Sequence, residues 1–454
     1  MSPSKPLVNR IPVRRRTIAL VCRLAAVILC TLCCDREPAP GPHVVLISID
    51  TLRADHVGLY GYGRETTPNI DRFFGTRTVF ENAMSSAPCT IPAVRQFLSG
   101  AFDHRPDRRQ LPEFLRDHGY ATAAIVSQHQ FFRHPVEAYR RGFEHFDIQA
   151  RDEVDHHGWT ARRAEEVSDR AIGWLKENGQ SERFFLWLHY FDPHDPYEPP
   201  PDFRAFDRGN RSRKSGDRRS YLREAHRKQP IRTAKEQWGG HIFDDEDVAH
   251  FINLYDGEVA YTDFHLGRVL AFLAENDLVE RSIVVLVSDH GEWLGEIDRW
   301  DHCYTLRDLE IRVPFMISVN GEALGDIGAK RVPASTLDVL PTLLGLLNID
   351  YPSSDYHGED LRRAAPDRTV VAMWSGSRVI RNADWKLFYE GMSPTFLYQV
   401  GRDADERWNR IQDKPEIVDL LDARMESLRP LLAKIKEQDD QTIEQLEQLV
   451  YIEP

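Results

Sequence analysis

The run VVLISID at residues 44–50 decides the fold. It is almost continuously apolar and rich in β-branched side chains, without the polar alternation of a strand that faces water on one side. That pattern belongs to a strand buried on both faces of a sheet. The same kind of run returns as RFFLWLHYF (183–191) and SIVVLVS (282–288). LPEFLRDHGYATAAIVS (111–127) reads as a short helix, a glycine stop and a further buried strand. Between them lie helical patterns: WTARRAEEVSDRAIGWLKENG (159–179), amphipathic and stopped at Gly179, and the long stretch 247–277. Strands alternating with helices predict an α/β fold with a doubly wound, mostly parallel sheet covered on both faces. From about residue 365 the character changes. TVVAMWSG, SRVIRNADWKLFYE and TFLYQV suggest short antiparallel strands, followed by a charged helix from about 415 to 450. Residues 43–364 are therefore expected to form the main domain and 365–454 a smaller C-terminal α+β subdomain.

The chain has 454 residues, 41% of them hydrophobic, enough for a large core. Its formal charge of −13 argues against nucleic acid as a general partner. Residues 1–34 read as a leader, with a basic start followed by the apolar run LAAVILCTLCC (24–34). That run is short for a bilayer span and suits a secretory signal. RRRTIA (14–19) weakly matches a twin-arginine signal, and ILCTLCCD a lipoprotein cleavage box at Cys33 or Cys34. An uncleaved membrane anchor is the alternative. EPAPGPH within 35–43 is a proline-rich tether, so export to the periplasm or cell envelope, with membrane anchoring through the N-terminus as an option, is the expectation. Residues 203–236 interrupt the fold pattern with twelve Lys and Arg and read as an inserted basic loop, either solvated or gripping an anionic substrate.

Three of the buried strands end in metal-capable residues: Asp50, then Asp192 and His194, then Asp289 and His290. In an open α/β sheet, ligands bind outside the carboxyl ends of the strands, so these side chains should meet at one edge. One aspartate closing a strand is ordinarily a cap or turn residue. Three such endings, rich in Asp and His, suit a divalent cation of intermediate hardness, such as Ca, Mn or Zn.

At this point the chain resembles the sulfatases of the alkaline phosphatase superfamily. VVLISIDTLRADHVGLYGYGRETTPNIDRF (44–73) is similar to their opening. FDPHDPYEPP (191–200), LYDGEVAYTDFHLGRVL (254–270), VSDHGEWLGE (287–296), IRVPFMISV (311–319), LDVLPTLLGLLNI (337–349) and DWKLF (384–388) follow in the family's order. The resemblance implies that Asp50, Asp289 and His290 hold one divalent metal. It makes His194 a contact of the transferred group and His302 a general acid or a cation for the anion. An ordinary surface histidine is the alternative for His302.

The nucleophile segment APCTIPAVRQFLSG (87–100) departs from the family. The formylglycine pattern has proline two residues after the cysteine, arginine four after, and a threonine-glycine pair ending ten after. Counted from Cys89 these places hold Ile91, Ala93 and Ser99. Counted from Thr90 they hold Pro92, Val94 and Gly100, so Thr90 stands in the nucleophile slot and completes the metal set. The arginine is missing. Arg95 lies about 100° further round a helix, and Arg53, in DTLR, is the candidate to compensate; ordinary surface pairing is the alternative for both.

A formylglycine hydrate expels sulfate by collapsing to the aldehyde, an exit that a threonine sulfate lacks. A threonine phosphate is cleared by attack of water on phosphorus. Three readings stay open: a sulfate or phosphate ester hydrolase with a covalent Thr90 intermediate, a phosphodiesterase or headgroup phosphotransferase, and an inactive sulfatase-like binding protein. Retention of Asp50, Asp289 and His290 argues against the last. The substrate would be an anionic small molecule, glycan or lipid-headgroup ester. Asp192, His194 and His302 offer a second metal site, though one metal is preferred. Cys89 and Cys303 are the two cysteines outside the leader; two separate buried thiols are the favoured reading over a disulfide, since neighbours in extended segments point to opposite sides.

Overall fold

The computed structural model describes residues 41–103, 105–127, 139–148, 161–179, 183–206, 245–325, 331–403 and 405–428. The leader, nearly all of the tether, most of the basic insertion and the end of the last helix lie outside these residues.

The strand predicted at 44–49 spans His43–Ile49 and sits at the middle of a seven-stranded sheet. The spatial order is Thr78–Val79, Phe315–Val319, Ser282–Ser288, His43–Ile49, Phe184–Tyr190, Ala121–Val126 and His145–Asp147. The last five run parallel; Phe315–Val319 is antiparallel to Ser282–Ser288, so the sheet is mostly parallel and mixed at one side.

Why the central run is apolar throughout follows from the pleat. Val44 and Leu46 point to one face, where they meet Val94, Phe97 and Leu98 of the helix Thr90–Ser99 and Leu340 and Leu343 of the helix Val339–Leu346. Val45, Ile47 and Ile49 point to the other, against Val167 and Ala171 of Ala164–Asn178 and Leu266 and Val269 of Asp245–Glu275. A strand between two helix layers buries both alternating sets.

The strands Val370–Trp374, Ser377–Arg381, Trp385–Glu390 and Ser393–Gln399 form the expected antiparallel sheet in sequence order. Val370–Trp374 is shared between two cores: Ala372 and Trp374 join the main core, while Val371 and Met373 face Leu421 and Met425 of the helical residues 415–428. Lys386 of the DWKLF motif explains its own burial: its Nζ lies 2.6 Å from Asp308 and 2.8 Å from Glu406, tying this sheet to the segment leading into Phe315–Val319.

Candidate active site

The parallel register aligns the carboxyl ends of the central strands, pairing Ile49 with Ser288 and with Tyr190. Asp50 and Asp289, each one residue beyond, therefore emerge side by side. Asp50, Asp289 and His290 are buried, and their ligand atoms all lie within 4.8 Å of one another. His290 Nε2 is 3.7 Å from Asp50 Oδ1 and 3.6 Å from Asp289 Oδ2. Asp289 Oδ1 accepts from the Thr51 and His290 amides at 3.3 and 2.8 Å. Gly291 has to be glycine, because a Cβ there would stand 2.2 Å from the Leu309 carbonyl oxygen.

Thr90 enters this cluster from the other side. It is the first residue of the helix Thr90–Ser99, with Cys89 at the N-cap and Gly100 ending it in the left-handed region. The register now has a physical cause. Pro92 lies in the first turn, where a helix does not need its N–H, and Gly100 supplies the αL stop. The Thr90 hydroxyl is 3.0 Å from His290 Nε2 and 3.4 Å from Asp50 Oδ2. Because His290 Nδ1 lies 2.8 Å from the Gly291 carbonyl, that nitrogen carries the proton and Nε2 presents a lone pair.

These residues fit a divalent cation. Asp50 Oδ1 and Asp289 Oδ2 are buried oxygens without a hydrogen-bond partner among the described residues, and two such carboxylates side by side call for positive charge. Burial and the neighbouring Asp289 push the Asp50 carboxyl up. Burial pushes Asp289 to about 6. Burial, together with His302, holds the His290 imidazole at about 3, in its neutral, ligating form. Two carboxylates, one imidazole and one hydroxyl form a mixed oxygen–nitrogen set of the kind expected.

Beside this set stand two more imidazoles. The His302 ring centroid is 4.5 Å from that of His290 and 4.9 Å from that of His194. His302 is buried, not an ordinary surface residue. Burial opposes its charge, but Asp301 Oδ1 at 3.0 Å and Glu292 Oε1 at 3.3 Å from Nδ1 outweigh it and hold the imidazole well above its usual range. His194 stacks on Phe191, and its Nδ1 lies 2.5 Å from the Asp195 carbonyl.

Several expectations need correction. Arg53 is buried, with its guanidinium occupied inside the protein: Nε and Nη2 donate to both oxygens of Asp55, and Nη1 donates to Glu296 at 2.6 Å and to the Glu292 carbonyl. Two carboxylates already offset its charge, and these contacts brace the strand-end loop. Arg95 is no substitute, since its guanidinium lies over the Tyr139 ring, 5.6 Å from the centroid, and Val94 is in the core. Asp192 ion-pairs with Arg163 at 2.9 Å, which removes it from a second metal set with His194 and His302. The acidic residues beside His302 are Glu292 and Asp301 instead.

The two cysteines are not separate thiols. Cys89 and Cys303 form a disulfide with Cα atoms 4.8 Å apart. Extended backbone at both residues would point the two side chains apart. Cys89 is extended, but Cys303 has φ +69°, and that left-handed turn redirects its side chain toward Cys89.

Two residues escaped the sequence reading. His189 is fully buried within its strand, paired in register with Ser48, which lies 2.9 Å from its Nδ1; its Nε2 is 3.7 Å from Asp50. Polar side chains facing each other near the ends of two apolar runs were the available signal. Glu292, two residues after His290, contacts His302 and accepts from the Tyr197 hydroxyl.

The sulfatase family profile matches residues 42–349. The chain belongs to the sulfatase family. This sulfatase-family chain is similar to the arylsulfatase of Clostridium perfringens, 23% identical over 87% of this chain and 94% of that one. It is also similar to chicken arylsulfatase K, 24% identical over 85% of this chain and 82% of the relative. Among solved structures, one bound to its substrate D-glucosamine-2-N,6-O-disulfate superposes with a TM-score of 0.68 at 18% identity, covering 88% of this chain and 99% of that chain. The phosphonate monoester hydrolase of Agrobacterium radiobacter gives 0.64 at 19% identity, over 87% and 96%. These structural likenesses show that the chain shares the fold of those enzymes.

Proposed function

We propose that this sulfatase-family hydrolase cleaves anionic phosphoryl esters through a covalent intermediate on Thr90. The observation that carries the reading is the Thr90 hydroxyl, at the first turn of a helix and within 3.4 Å of both Asp50 and His290. Asp50, Asp289, His290 and Thr90 would hold the cation, which, when bound, lowers the pKa of the hydroxyl and offsets ester charge. The amide dipoles of the Thr90–Ser99 helix favour anionic charge at the same place. Thr90 Oγ1, its proton given up to solvent, forms a bond to phosphorus in line with the leaving oxygen, and the bond to that oxygen breaks. His302, kept cationic by Asp301 and Glu292, gives its proton to the leaving alcohol, and His194 contacts the transferred group. Water then attacks phosphorus, one of its protons recharging the neutral His302, and the bond to Thr90 Oγ1 breaks as that oxygen takes a proton back from solvent.

A threonine sulfate lacks an aldehyde exit, which favours phosphorus. The family match favours the second reading, sulfate ester cleavage. Purified protein assayed on matched aryl sulfate, phosphate monoester and phosphodiester substrates separates them. Phosphoryl turnover, with a phosphoryl mass on a quenched peptide covering residues 87–95, is expected; turnover of the sulfate alone overturns the reading. Export to an oxidising compartment is part of the proposal and is supported by the Cys89–Cys303 disulfide.

The role of His302 makes a graded prediction. His302→Gln keeps a hydrogen-bonding side chain but loses the proton to give. A poor leaving group such as phenol should then lose roughly 10²-fold in kcat, and 4-nitrophenol, which departs without help, far less. Equal losses on both esters would remove His302 from the proton transfer.

A further inference from the structure

Thr90 and His302 come from distant parts of the chain, yet the residues beside them are covalently joined. Cys89 immediately precedes Thr90, Cys303 immediately follows His302, and their disulfide spans 214 residues. The join is reinforced on both sides. The Cys303 amide donates to the Pro88 carbonyl at 3.0 Å, and Trp374 Nε1 donates to the Cys303 carbonyl at 2.6 Å. The Met373 amide donates to the Ser86 carbonyl at 3.1 Å. Segment 86–90, loop 301–304 and the strand Val370–Trp374 thus meet at one junction behind the site.

The loop needs holding. Asp301 and Cys303, neither of them glycine, have φ of +74° and +69°, a conformation that L side chains keep only where their surroundings over-determine it. Tyr304, next along, is 40% exposed. Glu310 helps by accepting from the Tyr304 and Thr305 amides, but it acts later in the chain than Cys303. The junction at Cys303 fixes the loop to the segment that leads into the helix carrying Thr90.

We infer that the Cys89–Cys303 disulfide is a positioning link for the reaction, holding His302 at a fixed offset from Thr90, so that full turnover requires the oxidised pair. The inference rests on the proposed roles of Thr90 and His302. Its chemistry balances with a dithiol: one thiolate of dithiothreitol attacks a protein sulfur, its second thiol closes the reagent's ring, and two electrons and two protons pass to Cys89 and Cys303. Oxidised glutathione reverses the exchange.

The test uses the full chain with Cys89→Ser, Cys303→Ser and the double variant, assayed on phenyl and 4-nitrophenyl phosphate, with bound metal and melting temperature measured alongside. Misplacing a reacting group by about 1 Å costs roughly 10²-fold. Each single variant should therefore lose at least about tenfold in kcat on phenyl phosphate and much less on the nitrophenyl ester, with KM and metal content little changed. The double variant should be no worse than either single one, because both remove the same bond. A lowered melting temperature with unchanged kcat overturns the inference, as does equal loss on the two esters or multiplied losses in the double variant. Should the variants fail to fold, the wild-type enzyme gives the reading: activity on phenyl phosphate falls as two thiols appear and returns with oxidised glutathione, and a fully reduced enzyme with full activity overturns it. Thr90→Ala, run in parallel, separates the two levels. An active Thr90→Ala enzyme marks failure of the site reading, whereas an inactive one beside a fully active Cys303→Ser enzyme marks failure of the link alone.

Discussion

Thr90→Ala is expected to abolish turnover, by about 10⁴-fold or more, the scale on which removal of a nucleophile acts. The substitution deletes the hydroxyl that stands 3.0 Å from His290 and 3.4 Å from Asp50, and leaves the helix backbone intact because alanine suits its first turn. Stability should change little, so the loss is chemical. Thr90→Ser retains the oxygen and is expected to keep measurable activity. Steady-state kinetics with circular dichroism on the three proteins checks the series. Cys89 is not an alternative nucleophile: its sulfur is bonded to Cys303, and the residue two places on is Ile91, not proline. A formylglycine mass at position 89, or full activity in Thr90→Ala, would contradict the assignment.

Asp50, Asp289 and His290 were legible because each ends a run whose burial is written in its composition, and a parallel sheet aligns such ends. Thr90 was legible because Pro92 and Gly100 mark the start and stop of a helix. Arg53 and Asp192 lie at equally legible places, yet their partners, Glu296 and Arg163, come from other elements, and pairing across space leaves no trace in local sequence. His189 was hidden by its own strand, since a polar residue in an apolar run reads as a defect until the register sets it against Ser48. The disulfide was misjudged for a backbone reason, as nothing in DRWDHCYT announces the left-handed turn at Cys303. Strand ends and helix caps are local and periodic, and so readable; ion pairs and turns forced by packing are not.

Asp289→Asn is expected to remove both the bound cation and activity. The exchange swaps a carboxylate for a neutral amide of nearly the same shape, so packing is conserved while the donor set loses one of its two negative charges. Asp289 is the informative member because its two oxygens have separate duties. Oδ1 accepts from the Thr51 and His290 amides and shapes the turn, whereas Oδ2 is buried without a hydrogen-bond partner among the described residues and is available to a cation. An asparagine placed with its oxygen toward those amides keeps the turn and presents an NH₂ donor where a ligand oxygen is needed. Folding should therefore survive, and removing an unneutralised buried charge can even raise the melting temperature of the metal-free protein. The expected signature is bound metal reduced to a small fraction of the wild-type content, by elemental analysis after dialysis, and kcat down by about 10³-fold or more, in line with removal of a charge-stabilising group from a water-excluded site. Melting curves with and without a chelator add a second readout: the chelator lowers the wild-type midpoint and leaves that of Asp289→Asn unmoved, because a ligand stabilises only a fold that binds it. Full metal occupancy in the variant would show that Asp50, Asp289 and His290 do not share one cation.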